Sequence, residues 1–161
     1  MTSWINRLVG GIVLGMIYAG IITSPDQLKQ KVDATEWKYM AGAAEIENGN
    51  ETDEPLDDMR RLLLTMSVIK NRIDSSNWNG DCVEEVIMAR DGGYIQYASV
   101  TRNGFKTVKV KERTLLLAKY ILIYGSICPK NVVYQGQTKN GSGEYDRIPV
   151  KGDKDEIFCF E

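Results

Sequence analysis

The sequence predicts an α+β domain, helical first and β last, preceded by a hydrophobic N-terminal helix. Three observations carry this. Apolar residues recur at helical spacing in separate stretches between positions 34 and 124. After Pro129 the pattern changes to short β-branched and aromatic runs separated by turn residues. The 161 residues, 43% hydrophobic and 26% charged, suffice for one domain with a real core.

The N-terminal element comes first. Residues 8–24 carry no charge, with Asn6 and Arg7 in front and Pro25-Asp26 behind. As a helix the run spans ~25 Å, slightly short of a ~30 Å hydrocarbon core, which Trp4 and Ile5 could extend. Gly10, Gly11, Gly15 and Gly20 weaken a soluble helix but are tolerated in a membrane one. Residues 1–25 therefore read as a signal-anchor or a signal peptide, with a buried helix of the domain as the alternative. No Ala-x-Ala cleavage site follows the run. Arg7 favours a cytoplasmic N-terminus and an outward-facing domain. Residues 26–35 read as a polar linker, and 36–161 as the domain.

Asp33-Ala34-Thr35-Glu36 resembles a capping box and opens the first domain helix. Trp37, Met40, Ala41 and Ala44 follow at helical spacing, and Asn48-Gly49 stops it. Residues 50–54 read as acidic and exposed. Pro55 suits a first helical turn, and Leu56, Met59, Leu63, Met66 and Ile73 mark a helix over roughly 55–73. Residues 74–80 form a turn-rich loop. Asp81 reads as the cap of a short helix through Met88, broken at Asp91-Gly92-Gly93. Residues 94–105 read as irregular or extended. Residues 111–124 form a third long helix, apolar nearly all round and so the central one. Gly125 ends it. Strands are expected over 132–135, 145–150 and 157–160, with a turn at Asn140-Gly141.

Composition excludes several chemistries. There is no histidine, so no Ser-His-Asp or Cys-His pair and no common catalytic zinc site. A net charge of −2 with no basic stripe argues against nucleic acid as a partner. Cys82, Cys128 and Cys159 have no metal-ligand spacing. They read either as isolated thiols or as one Cys128–Cys159 bond plus a free thiol. Proton chemistry then rests on carboxylates. Glu45 follows two alanines near a helix end, where desolvation would favour the neutral form that a general acid needs. Glu47, about 200° further round the helix, cannot share its cleft. Asn71 and Arg72 close the second helix, suited to capping and to holding a carboxylate or carbonyl. Gln96-Tyr97 and Tyr134-Gln135-Gly136-Gln137 combine aromatic faces with amides, the mixture that sugar sites use. Each has a plainer structural reading.

The order of these segments resembles the cell-wall hydrolase family typified by the spore-cortex-lytic enzymes of Bacillus-type bacteria and related phage and clostridial proteins. That family shows a helix ending Ala-Glu-Ala-x-Gly, in whose place stands Ala44-Glu45-Ile46-Glu47-Asn48-Gly49. Its Val-x-x-Asn-Arg-Val helix end is matched by Val68-Ile69-Lys70-Asn71-Arg72-Ile73. Trp78, Val83 to Ile87, Gln96-Tyr97-Ala98-Ser99, Asn131 to Gln137 and Gly141-Ser142-Gly143 follow in family order. The glycine falls one place late, and the histidine many relatives carry near the C-terminus is missing. The resemblance implies a lysozyme-like fold acting on peptidoglycan glycan strands, membrane-anchored or secreted and facing the cell wall. Glu45 would be the catalytic acid and base of a lytic transglycosylase. Asn71, Arg72, Gln96, Tyr97, Tyr134, Gln135 and Gln137 would bind the glycan. No metal or cofactor is implied. A catalytically silent, membrane-tethered peptidoglycan-binding module and a different wall hydrolase, such as an amidase, remain as alternatives.

Overall fold

The computed structural model describes every residue except 1, 49–51, 53, 92 and 153; the side chains of 2–6, 91 and 94 also stand outside the description. Gly49, most of the acidic stretch 50–54, Gly92, and the Trp4 and Ile5 side chains therefore lie outside the described residues. The chain is α+β, as the periodicity predicts. Its elements are α1 (Thr2–Tyr18), a 3-10 turn (Pro25–Gln27), α2 (Ala34–Glu47), α3 (Pro55–Ile73) and α4 (Val83–Met88). There follow β1 (Arg90–Asp91), β2 (Tyr94–Ile95), α5 (Ala98–Arg102), α6 (Glu112–Tyr124), β3 (Val132–Gly136), β4 (Gly143–Val150) and β5 (Lys154–Phe160).

Helix α6 is central to the helical layer, packing against α1, α2, α3 and the 3-10 turn. Its apolar circumference, with Leu116, Leu117 and Ile121 buried, is what allows this. Helix α3 is buried more completely, because it bridges two cores. Met59, Leu63, Met66 and Ile69 face the helices, while Leu64 and Val68 join Val132, Ile148 and Phe158 under the sheet. The sheet is antiparallel in the order β3-β5-β4, so the last strand lies in the middle. Asn140-Gly141 consequently turns the chain without joining neighbouring strands. Gly141 has φ 62°, and a Cβ there would lie 1.9 Å from the Phe160 carbonyl oxygen. Close approach also explains Gly42 in α2, whose hypothetical Cβ would meet the Phe105 carbonyl at 2.1 Å.

Some local expectations are corrected. The Asp33 side chain caps the Thr35 N–H at 2.7 Å. Glu36 does not complete a capping box in its own helix; its carboxylate accepts from the Val83 N–H at 2.8 Å. It thus serves α4, whose N-cap is Cys82 and not Asp81. Residues 94–105 are not extended throughout but contain α5. Thr52, inside the stretch read as exposed, is buried, bonding Asp58 and the Glu54 carbonyl. All three cysteines are free thiols, Cys128 and Cys159 buried.

The N-terminal helix lies along α6, with Ile17 in the core. Beyond it, the stretch read as a linker is partly built into the fold. Leu28 is buried, and the buried Lys119 ammonium donates to the Pro25 carbonyl at 2.6 Å. Among the described residues, no helix is long and apolar enough to cross a membrane.

Candidate functional site

The ends of α2 and α3 converge with α5 on strands β3 and β5, and the polar residues gather there. Arg72 is buried at the end of α3 and donates from Nε to the Val133 carbonyl at 2.7 Å. Its guanidinium lies over two rings, 4.3 Å from the centre of Trp78 and 5.1 Å from that of Tyr97. Such stacking suits the planar guanidinium and fixes both aromatics. Asn71, beside it, is a latch. Its amide donates to the Pro129 and Val132 carbonyls at 2.8 and 2.9 Å, tying α3 to the entrance of β3.

Tyr97 is 3% exposed, and its hydroxyl has no hydrogen-bond partner among the described residues. Burial pushes that phenol upward, Arg72 opposes, and the nearby charges of Glu47 and Glu156 push it further. A buried hydroxyl is costly to leave unpaired, and this one lies within the electrostatic reach of Arg72, Glu47 and Glu156. Glu156 on β5 accepts from Gln135 Nε2 at 3.3 Å and faces Arg61 Nη2 at 3.4 Å. Burial raises its pKa first of all; Arg61 lowers it, and Glu47 raises it again. The side-chain Oε1 of Gln135 is buried and also lacks a partner among the described residues.

Glu47 closes this cluster from α2, its carboxylate accepting the Ser99 hydroxyl at 2.6 Å. Glu45 does not join it. Its carboxylate turns to the start of α6, accepting from Thr114 Oγ1 at 2.5 Å and from the Lys111 N–H at 3.4 Å, with Lys111 Nζ 4.0 Å away. A carboxylate at a helix N-terminus satisfies otherwise unpaired groups and complements the helix dipole, a structural task. The two glutamates diverge as their two-residue spacing requires. It is Glu47, not Glu45, that meets the other motif residues.

Next to the stack lies a cleft of about 230 Å³ lined by Trp78, Asn77, Arg90, Gln96 and Tyr134, among others. Trp78 and Tyr134 meet edge to face with centres 5.5 Å apart. Of the residues expected to bind glycan, the structure thus brings Arg72, Tyr97 and Gln135 into the cluster and Gln96 and Tyr134 into the adjoining cleft. Gln137 lies exposed past the end of β3, away from the cleft lining.

Glu156 escaped the sequence reading, which set Glu47 aside in favour of Glu45 and gave Ser99 no role of its own. Ser99 stands in the Gln-Tyr-Ala-Ser motif, which was its signal. Glu156 had only a weak one, a carboxylate directly before the apolar Ile-Phe-Cys-Phe run of a central strand. Compared with protein-family models, curated proteins and solved structures, the chain matches none.

Proposed function

We propose that this protein cleaves peptidoglycan glycan strands between N-acetylmuramic acid and N-acetylglucosamine, with Glu47 as acid and base. The observation that supports it is convergence: the ends of α2 and α3, the Gln96–Ser99 segment and β3 supply Glu47, Arg72, Tyr97 and Gln135 to one partly buried cluster. Glu47 delivers a proton to the glycosidic oxygen as that bond breaks, leaving oxocarbenium character on the muramic sugar. The same carboxylate then takes the proton of the muramic C6 hydroxyl as its oxygen closes a 1,6-anhydro ring. Water is not consumed, so no second carboxylate has to activate it, in contrast to the usual paired-carboxylate glycosidases. Glu156, held between Arg61 and Gln135, braces the β5 side of the cluster. The Trp78–Tyr134 corner and the Gln96 amide offer an adjoining sugar its apolar face and its hydroxyl partners. The domain faces the cell wall, secreted or held to the membrane through residues 1–25.

Muropeptide analysis of digested sacculi tests this. Anhydro-muramic ends that disappear with Glu47→Gln are expected. Free stem peptides would identify an amidase, and no product a binding module; either ends the proposal.

A further inference from the structure

The outer face of α1 has a composition that its packing leaves unexplained. The inner line of the helix is built for α6. Ile17 is 4% exposed, and Gly10 sits so close that a Cβ there would lie 2.7 Å from Tyr120 Oη. The opposite line, Leu8, Ile12, Gly15 and Ala19, faces outward without one polar group. Leu8 is 59% and Ile12 57% exposed, flanked by Val9, Tyr18 and Ile21, also exposed. Contiguous apolar exposure of this kind marks an interaction surface.

Two crevices run beside this face, and each combines apolar walls with one arginine. Toward the start of α1, a space of about 540 Å³ lies between Gly11, Leu14, Tyr120 and Tyr124, with Arg7 on its lining. Toward its end, a space of about 330 Å³ is walled by Ile17, Ile22 and Leu116, with Arg113 and Glu112 on its lining. The Arg113 guanidinium lies 5.7 Å from the centre of the Tyr18 ring. No acidic residue occurs before Asp26, and exposed Lys29 and Lys31 follow it. An apolar slot with a cation on its lining fits an acyl chain joined to an anionic headgroup.

We propose that α1 binds the surface of an anionic lipid bilayer while docked on α6, lying in the membrane plane and not across it. Leu8, Ile12 and Ile21 enter the acyl boundary, and Arg7 and Arg113 meet headgroup phosphates. The helix acts as a built-in foot of the domain. This stands independently of the reading of the Glu47 cluster.

Flotation of the full chain with vesicles tests it, using phosphatidylcholine alone and phosphatidylcholine with phosphatidylglycerol. The chain should float with the anionic vesicles and more weakly with the neutral ones. Leu8→Gln/Ile12→Gln, both exposed positions and neutral so that the charge is unchanged, should keep the wild-type circular dichroism melt and lower the partition at least about tenfold. Alkaline carbonate should release the bound chain. Retention after carbonate would mean a spanning helix and overturn the proposal. So would absence of flotation, or a dimer in solution that Leu8→Gln/Ile12→Gln dissociates. None of these outcomes depends on glycan cleavage, so they are read separately from the Glu47→Gln assay.

Discussion

Exchanging each of the two neighbouring glutamates for glutamine separates catalysis from stability. In Glu47→Gln the amide oxygen can still accept the Ser99 hydroxyl that the carboxylate accepts at 2.6 Å. The fold should therefore be kept, while the only proton-transferring atom of the proposed reaction is lost. General acid–base catalysis is worth ~10²–10⁴ in rate, or about 3–5 kcal/mol of barrier at 1.36 kcal/mol per decade. In Glu45→Gln the loss is different. The Thr114 contact at 2.5 Å changes from charge-assisted to neutral, and the charge at the α6 N-terminus disappears. The Glu45 side chain is only 17% exposed, so these losses are modestly screened and together come to about 1 kcal/mol. For a chain of this size that lowers Tm by ~2–4 °C. The assays are release of anhydro-muropeptides at saturating sacculi and a thermal melt of the same samples. An inactive Glu45→Gln protein beside an active Glu47→Gln protein would refute the assignment.

Three further outcomes are expected. A chain beginning at Asp26 removes the Pro25 carbonyl that accepts from buried Lys119; it should lose ~1–3 kcal/mol in urea unfolding against one beginning at Thr23, which keeps that carbonyl. Gly42→Ala drives a methyl to within 2.1 Å of the Phe105 carbonyl and should cost ~1–3 kcal/mol by the same measurement. Glu156 binds its proton more tightly when folded than when unfolded, since burial raises its pKa. Between the ordinary glutamate range and that raised value the folded state holds the extra proton, so stability falls as pH rises through the window. Glu156→Gln should flatten this fall in Tm measured against pH; an unchanged slope would show that Glu156 is not its source.

The long helices were legible because each carries its own signals. Pro55 and the recurring apolar stripe give α3, and Gly125 gives the end of α6. Helix α5 was not legible: it has five residues and no side-chain cap, and packing makes it. The site shows the same division. Motif order singled out segments that the fold brings together, but not which glutamate of α2 meets them. That choice is made by the start of α6, which captures Glu45 through Thr114 some 69 positions away. Glu156 depends on strand pairing, because β5 beside β3 brings its carboxylate to the Gln135 amide.

That strand order has a consequence for how the molecule comes into being. Strands β3 and β4 do not pair with each other; β5 pairs with both. Until residues 154–160 emerge from the ribosome, the two earlier strands have an empty slot between them, and Glu156 is not yet in place. Closing the slot needs contacts distant in sequence, the slow kind in folding. The nascent chain can assemble its helices early, yet the Glu156 side of the candidate cluster follows only with β5. The same slot makes the fold divisible. A chain ending before residue 154 should recapture a free peptide of residues 154–161 by strand addition, and the Glu156 carboxylate would return to the cluster with the peptide.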